Sequence, residues 1–200
     1  MNLENNFQSE GEWGYLREIP TGGVDPETGL KRTDLLTYLL KIFPGTTEQD
    51  WIHDKQIPNS GRKYRPDYRN DDLMLIVEYD GLQHYTSPDV ILGDTVKSQF
   101  YESLGYKVVR IPYFIQLTSD SVEKLFGVKI EETLFNPKYT SLSPKCKNTP
   151  AFLCDAGVKR MAKELSGFKE QLDINLNHLE ELNDDFLTGV SLLKKYLVEQ

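Results

Sequence analysis

The sequence predicts an α/β fold, a mixed β-sheet core flanked by helices and followed by a helical C-terminal extension. Three observations predict it. Leu73-Met74-Leu75-Ile76-Val77-Glu78-Tyr79 is the most apolar stretch of the chain and reads as a central strand buried on both faces. Helix-like and strand-like segments surround it in the order helix, three strands, helix, strand, which packs naturally as a sheet with helices on its faces. From residue 155 onward, Val158, Met161, Leu165, Phe168 and Leu172 recur at 3-4-3-4 spacing, the period of an amphipathic helix.

Each element has a local reason. Residues 1–30 are polar and punctuated by Gly22-Gly23 and Pro26, so they read as an N-terminal extension. In residues 34–43, Leu35, Leu36, Leu39, Leu40 and Phe43 share one helical face, with Thr33 as cap and Pro44-Gly45 as stop. A strand is expected over 51–57 and a second over 63–68, placed at an edge by Pro66. A turn over 69–72 then leads into the central strand. Residues 94–104 read as a helix closed by Gly105, and 107–111 as a strand stopped by Pro112. The core thus spans 31–135. Residues 136–154, rich in Pro, Ser, Lys and Asn, form a loop or linker. Two or three helices fill 155–200, with breaks expected near Asp173 and at Asp184-Asp185.

Composition narrows the function classes. No apolar run approaches the roughly 20 residues that cross a bilayer. The acidic, polar N-terminus is unlike a targeting peptide, so the expected location is cytoplasmic. With only Cys146 and Cys154, two free thiols are expected and a cysteine-rich zinc site is excluded. The net charge of −8 argues against a protein that coats nucleic acid. Its distribution is uneven: Lys55, Arg62, Lys63, Arg65 and Arg69 crowd one segment against a single acid, with Tyr64 and Tyr68 interleaved. Such a strip suits local contact with phosphates, although a solvated hairpin has the same composition.

Chemistry concentrates between Arg65 and Arg110. Side chains alternate along a strand, so Glu78 and Asp80 share a face and Tyr79 points away. A tight turn brings Asp67 beside the end of the same strand. Three converging carboxylates repel one another and suit a hard divalent cation with oxygen ligands, Mg²⁺ or Mn²⁺. A cation held there supports phosphodiester hydrolysis.

The spacing of these residues resembles the PD-(D/E)xK nuclease superfamily. Pro66-Asp67 matches its first motif and Glu78 its second acid. The family lysine would fall at residue 80, where this chain has Asp80. A closer resemblance is to the very short patch repair endonuclease-like branch, whose relatives carry Glu-x-Asp-Gly-x-x-His after an apolar strand. Here Glu78, Asp80, Gly81 and His84 match, followed by Asp94 and Lys97 on a helix and Gly105, Tyr106 and Arg110 around a strand. The likeness covers about residues 32–115 and implies a restriction-endonuclease-like core.

That resemblance implies a Mg²⁺-dependent endonuclease acting on DNA, without the zinc site of the repair enzymes. Asp67, Glu78 and Asp80 would be metal ligands. His84 would serve as base, ligand or phosphate contact, and Lys97 would supply the cation absent from position 80. Asp34 and Asp94 would support the site, and Arg110 is expected to pair with a carboxylate near the sheet end. His53 reads as structural. The alternative is an inactive nuclease-fold module that binds nucleic acid or protein. The C-terminal stripe either packs on the core or forms a homodimer interface.

Overall fold

The computed structural model describes residues 34–131, 134 and 149–199. The N-terminal extension, Thr33, Cys146 and most of the 136–154 loop lie outside the described residues. Among the described residues, no helix is long and apolar enough to cross a membrane.

The fold is mixed α/β, with a four-stranded sheet flanked by helices. Helix α1 (Leu35–Ile42) starts from Asp34 and buries Tyr38, Leu39 and Ile42. The sheet runs β1 (Ile52–His53), β2 (Tyr68–Asn70), β3 (Leu75–Asp80), β4 (Lys107–Pro112) in that spatial order. The first three strands are antiparallel, whereas β4 lies parallel to β3. A parallel neighbour needs a crossover, which α2 (Pro88–Ser103) supplies.

The short strands differ from expectation for local reasons. β1 stops after two residues because Asp54 adopts a positive φ of 48° and turns its N–H to the carbonyls of Pro66 and Asp67. β2 begins where a strand was expected to end, and the hairpin turn occupies residues 71–74, not 69–72. Asn70 Oδ1 accepts from the Leu73 N–H at 2.9 Å, and Met74 takes φ 47°, which places Leu75 opposite Asn70. Helix α2 begins two turns earlier than residue 94 because Ser87 caps it, accepting from the Asp89 N–H, with Pro88 in the first turn. Helix α3 (Ser119–Phe126) was not foreseen; it runs from a Thr118 cap to a left-handed Gly127.

The pleat divides the two faces of the sheet. Leu75, Val77, Val109 and Ile111 meet α1 and α3 in one core cluster. The opposite face carries Ile76, Glu78 and Asp80 on β3 and Arg110 on β4, beneath α2. A second core cluster forms where residues 113–115 leave the sheet and meet the C-terminal helices α4 (Asp155–Ser166), α5 (Lys169–Glu181) and α7 (Val190–Val198). Val158, Met161 and Leu165 are fully buried there, so this part of the stripe packs within the chain, whereas Phe186 is 92 % exposed. The first helical break falls at Gly167 and Phe168; Asp173 lies inside α5, paired with Lys169 at 2.7 Å. Asp184 caps the short α6 (Asp185–Thr188).

Close approach of α4 depends on one glycine. A Cβ at Gly157 would stand 1.8 Å from the Tyr85 carbonyl oxygen, which accepts from the Cys154 N–H at 3.1 Å. Backbone on one side and a buried helix on the other leave no room to relax. Gly157→Ala is therefore expected to cost about 3 kcal/mol, at the upper end of ordinary overpacking, measured as a fall in the urea midpoint.

Candidate active site

The carboxylates of the α2 face fall into two groups. The first group lies between β2, β3 and α2. Asp67, just before β2, accepts the Tyr79 N–H at 2.7 Å through Oδ2. Glu78 is 3 % exposed. Lys97, one turn after Asp94 on α2, reaches it: Nζ lies 2.8 Å from Oε1 and donates to Oε2 at 3.0 Å. The same ammonium donates to the Arg65 carbonyl at 3.3 Å, tying α2 to the segment that carries Asp67. Burial pushes the Glu78 carboxyl above the usual range; Lys97 opposes this, while the Asp67 charge adds to it.

Two buried polar atoms in this group are left over. Glu78 Oε1 lies within ion-pair distance of Lys97 yet completes no hydrogen bond. The Tyr101 hydroxyl, fully buried beneath Lys97, makes no hydrogen bond of good geometry, but it lies beside Glu78, whose charge and weak hydrogen bond add to burial in raising its pKa. Among the described residues, Asp67 Oδ1 accepts no hydrogen bond. These oxygens fit an oxygen-seeking divalent cation.

The second group is closed by arginines. Asp80 is completely buried. Arg110 clamps it from β4, with Nε to Oδ2 at 2.7 Å and Nη2 to Oδ1 at 2.5 Å. Arg160, from α4, donates to Asp80 Oδ2 through Nη2 and to Asp94 Oδ2 through Nη1 at 2.8 Å. Arg110 also reaches Asp94 Oδ1 at 2.9 Å. His84 Nδ1 lies 2.9 Å from both Asp94 oxygens and 3.6 Å from Asp80. Arg160 Nε holds Glu164 at 2.8 Å, whose other oxygen accepts the Tyr85 hydroxyl at 2.7 Å.

Asp80, His84 and Asp94 each offer a ligand atom within 4.8 Å of the others, a group that could hold a metal ion. As folded, two guanidinium groups already neutralise its carboxylates, so a cation there must displace both. The expected set of Asp67, Glu78 and Asp80 does not assemble as one cluster. Glu78 and Asp80 share a face as the pleat requires, but Asp80 turns to Arg110 and Arg160. Sequence reading missed Arg160 altogether, because it lies 80 residues beyond its partner on a helix whose register periodicity alone does not fix.

The remaining residues sort by exposure. Lys55, Arg62, Lys63 and Arg65 are exposed, with Arg65 Nε 3.2 Å from Asp54. Arg69 leaves the strip: it is 3 % exposed, 2.7 Å from Asp71, and donates to the Gln56 carbonyl. A short β1 and a turned-back segment bury it. Asp34 is half-buried at the start of α1, where its charge and that of Asp67 reinforce the effect of burial in raising the Tyr68 pKa. His53 is exposed and packs against the Tyr68 ring. Cys154 is a free thiol at the start of α4. No protein-family model, curated protein or solved structure matches the chain.

Burial gives the second group its energetic weight. Arg160→Met leaves Asp80 with one cation fewer and is expected to cost about 3 kcal/mol in urea unfolding. His84 adds a pH dependence. Its hydrogen bond to Asp94 outweighs burial and raises its pKa above 6.5. A raised folded pKa means the stabilisation is complete below about pH 6.5 and is lost as pH rises through the folded value. The stability difference between wild type and His84→Gln should therefore shrink with rising pH, read from unfolding curves between pH 5.5 and 8.5.

Proposed function

We propose that the protein is a divalent-metal-dependent DNA endonuclease whose reaction centre is formed by Asp67, Glu78 and Lys97. One observation carries this reading: the Lys97 ammonium stands 2.8 Å from a buried Glu78 beside Asp67, near the C-terminal end of the interior strand β3, where Glu78 Oε1 has Lys97 as its only charged partner among the described residues and completes no hydrogen bond. The order Asp67, Glu78, Asp80-Gly81, His84 resembles the PD-(D/E)xK nucleases, and Lys97 offers the ammonium that position 80 lacks.

Asp67 and Glu78 would hold Mg²⁺ or Mn²⁺, which when bound lowers the pKa of a water and neutralises charge on a phosphate. Asp67 is oriented by the Tyr79 N–H, and Lys97 opposes the burial that raises the Glu78 pKa. Lys97 places a positive charge and N–H donors where negative charge accumulates on a phosphate oxygen during attack. Exposed Lys63 and Arg65, flanking Tyr64, give the approaching backbone cationic contacts. Asp80, His84, Asp94 and Arg110 serve here as the support that fixes α2, and through α2 the position of Lys97.

A second reading keeps the scaffold and drops the reaction. It is favoured by the arginine lock on Asp80, which withdraws one of the three expected ligands. Plasmid cleavage in Mg²⁺ or Mn²⁺ separates the two. Asp67→Asn should abolish nicking, and Lys97→Met should reduce it by roughly 10²-fold or more. Mn²⁺ calorimetry should show one site that is lost in Asp67→Asn and Glu78→Gln but retained in Asp94→Asn. Equal nicking by wild type and Asp67→Asn, or no metal binding, rejects the enzyme.

A further inference from the structure

Tyr101 follows Lys97 by one turn of α2 and has no exposure. Residues four apart share a helical face, so the two side chains leave the helix toward the same end of β3. The Lys97 ammonium lies 5.7 Å from the centre of the Tyr101 ring. The hydroxyl lies beside Glu78. Both members of the Lys97–Glu78 pair therefore meet this one side chain, the ammonium through its ring and the carboxylate through its hydroxyl.

Packing accounts for the ring and leaves the oxygen unexplained. The ring is held edge-on by Tyr64 at 6.3 Å and meets Phe100 at 6.0 Å. A phenylalanine would keep these contacts. The hydroxyl makes no hydrogen bond of good geometry, and a buried polar group without a firm partner is costly. Glu78 Oε1, 2.8 Å from Lys97, completes no hydrogen bond either. A buried donor and a buried carboxylate thus adjoin, and neither is fully satisfied while Glu78 faces Lys97.

Ligation of a divalent cation would change what Glu78 needs. Its charge would then be matched by the cation, and a ligating carboxylate is held in place by outer hydrogen bonds. A phenol is neutral near pH 7 and offers one O–H, so it can hold the carboxylate without repelling the cation. The ring face meanwhile keeps the ammonium close by.

We infer that Tyr101 is a positioning residue of the proposed centre, whose hydroxyl donates to Glu78 when that carboxylate ligates the cation. The inference rests on the reading of Asp67 and Glu78 as metal ligands, and its test reads metal binding separately from cleavage.

Tyr101→Phe keeps the ring and removes the oxygen. Without metal, its urea midpoint should equal that of wild type. Its affinity for Mn²⁺, read by calorimetry on the full chain, should fall by about tenfold. Addition of Mn²⁺ to wild type should also give a tyrosine ultraviolet difference spectrum that saturates with the metal. That spectrum should be absent from Tyr101→Phe at saturating Mn²⁺ and from Glu78→Gln. Wild-type affinity in Tyr101→Phe, or persistence of the difference spectrum in it, overturns the inference and leaves the metal site standing. A lower urea midpoint without metal also overturns it, because the oxygen then serves folding. Absence of Mn²⁺ binding by wild type rejects both the inference and the enzyme. Weakened Mn²⁺ binding by Tyr101→Phe, in a protein that nicks no plasmid, retains the inference and rejects the nuclease.

Discussion

The pairing of buried Asp80 with Arg110 and Arg160 is the constraint on which the rest of the structure depends. A carboxylate with no exposure is tolerable only when its charge is matched and its oxygens are occupied. Arg110 comes from the neighbouring strand, and Arg160 from a helix in the C-terminal region. The same two side chains hold Asp94 on α2. Sheet, crossover helix and C-terminal bundle are thus joined at one set of charges. The apolar cluster around Tyr85, Phe114 and Val158 closes against its side. Removing either arginine leaves Asp80, which has no exposure, with one cation fewer, so the network acts as one unit.

The network also decides what α2 can do. Asp94 is anchored by Arg110, Arg160 and His84. Lys97, one turn later, therefore emerges on the side of Asp67 and Glu78. Its ammonium spans Glu78 and the carbonyl of Arg65, fixing the segment before β2 against the helix. Two carboxylates two residues apart on one strand consequently have different fates. Asp80 is consumed by structure, whereas Glu78 keeps an oxygen without a hydrogen bond and a single lysine partner. The division of labour follows from which cations each neighbouring element presents, since the strand itself treats the two positions alike.

Much of this was legible before folding was considered. The apolar run ending at Glu78 could only be a central strand, and the pleat put Glu78 and Asp80 on one face. Gly105 and Pro112 bounded their elements as their backbone restrictions require. Local signals were also overlooked: Ser87-Pro88 starts α2 two turns early, and Thr118 with Gly127 brackets α3. The strands around Arg69 were misplaced because the turn was set by an Asn70 side-chain bond and a positive φ at Met74, which composition does not reveal. That shift is what buried Arg69 and removed it from the basic strip.

By itself, the sequence determined the α/β class, the central strand, the shared face of the two acids and the nearness of Asp67 to Glu78, because these follow from the two-residue period of a strand and the short reach of a hairpin. Only the tertiary structure decided which acid remains available. That choice depends on Arg160, contributed from 80 residues away by a helix whose docking requires a glycine at 157, and on the rotation of α2 that points Lys97 at Glu78. Charge matching in a buried site is settled by which side chains meet in space, and chain order carries no record of that.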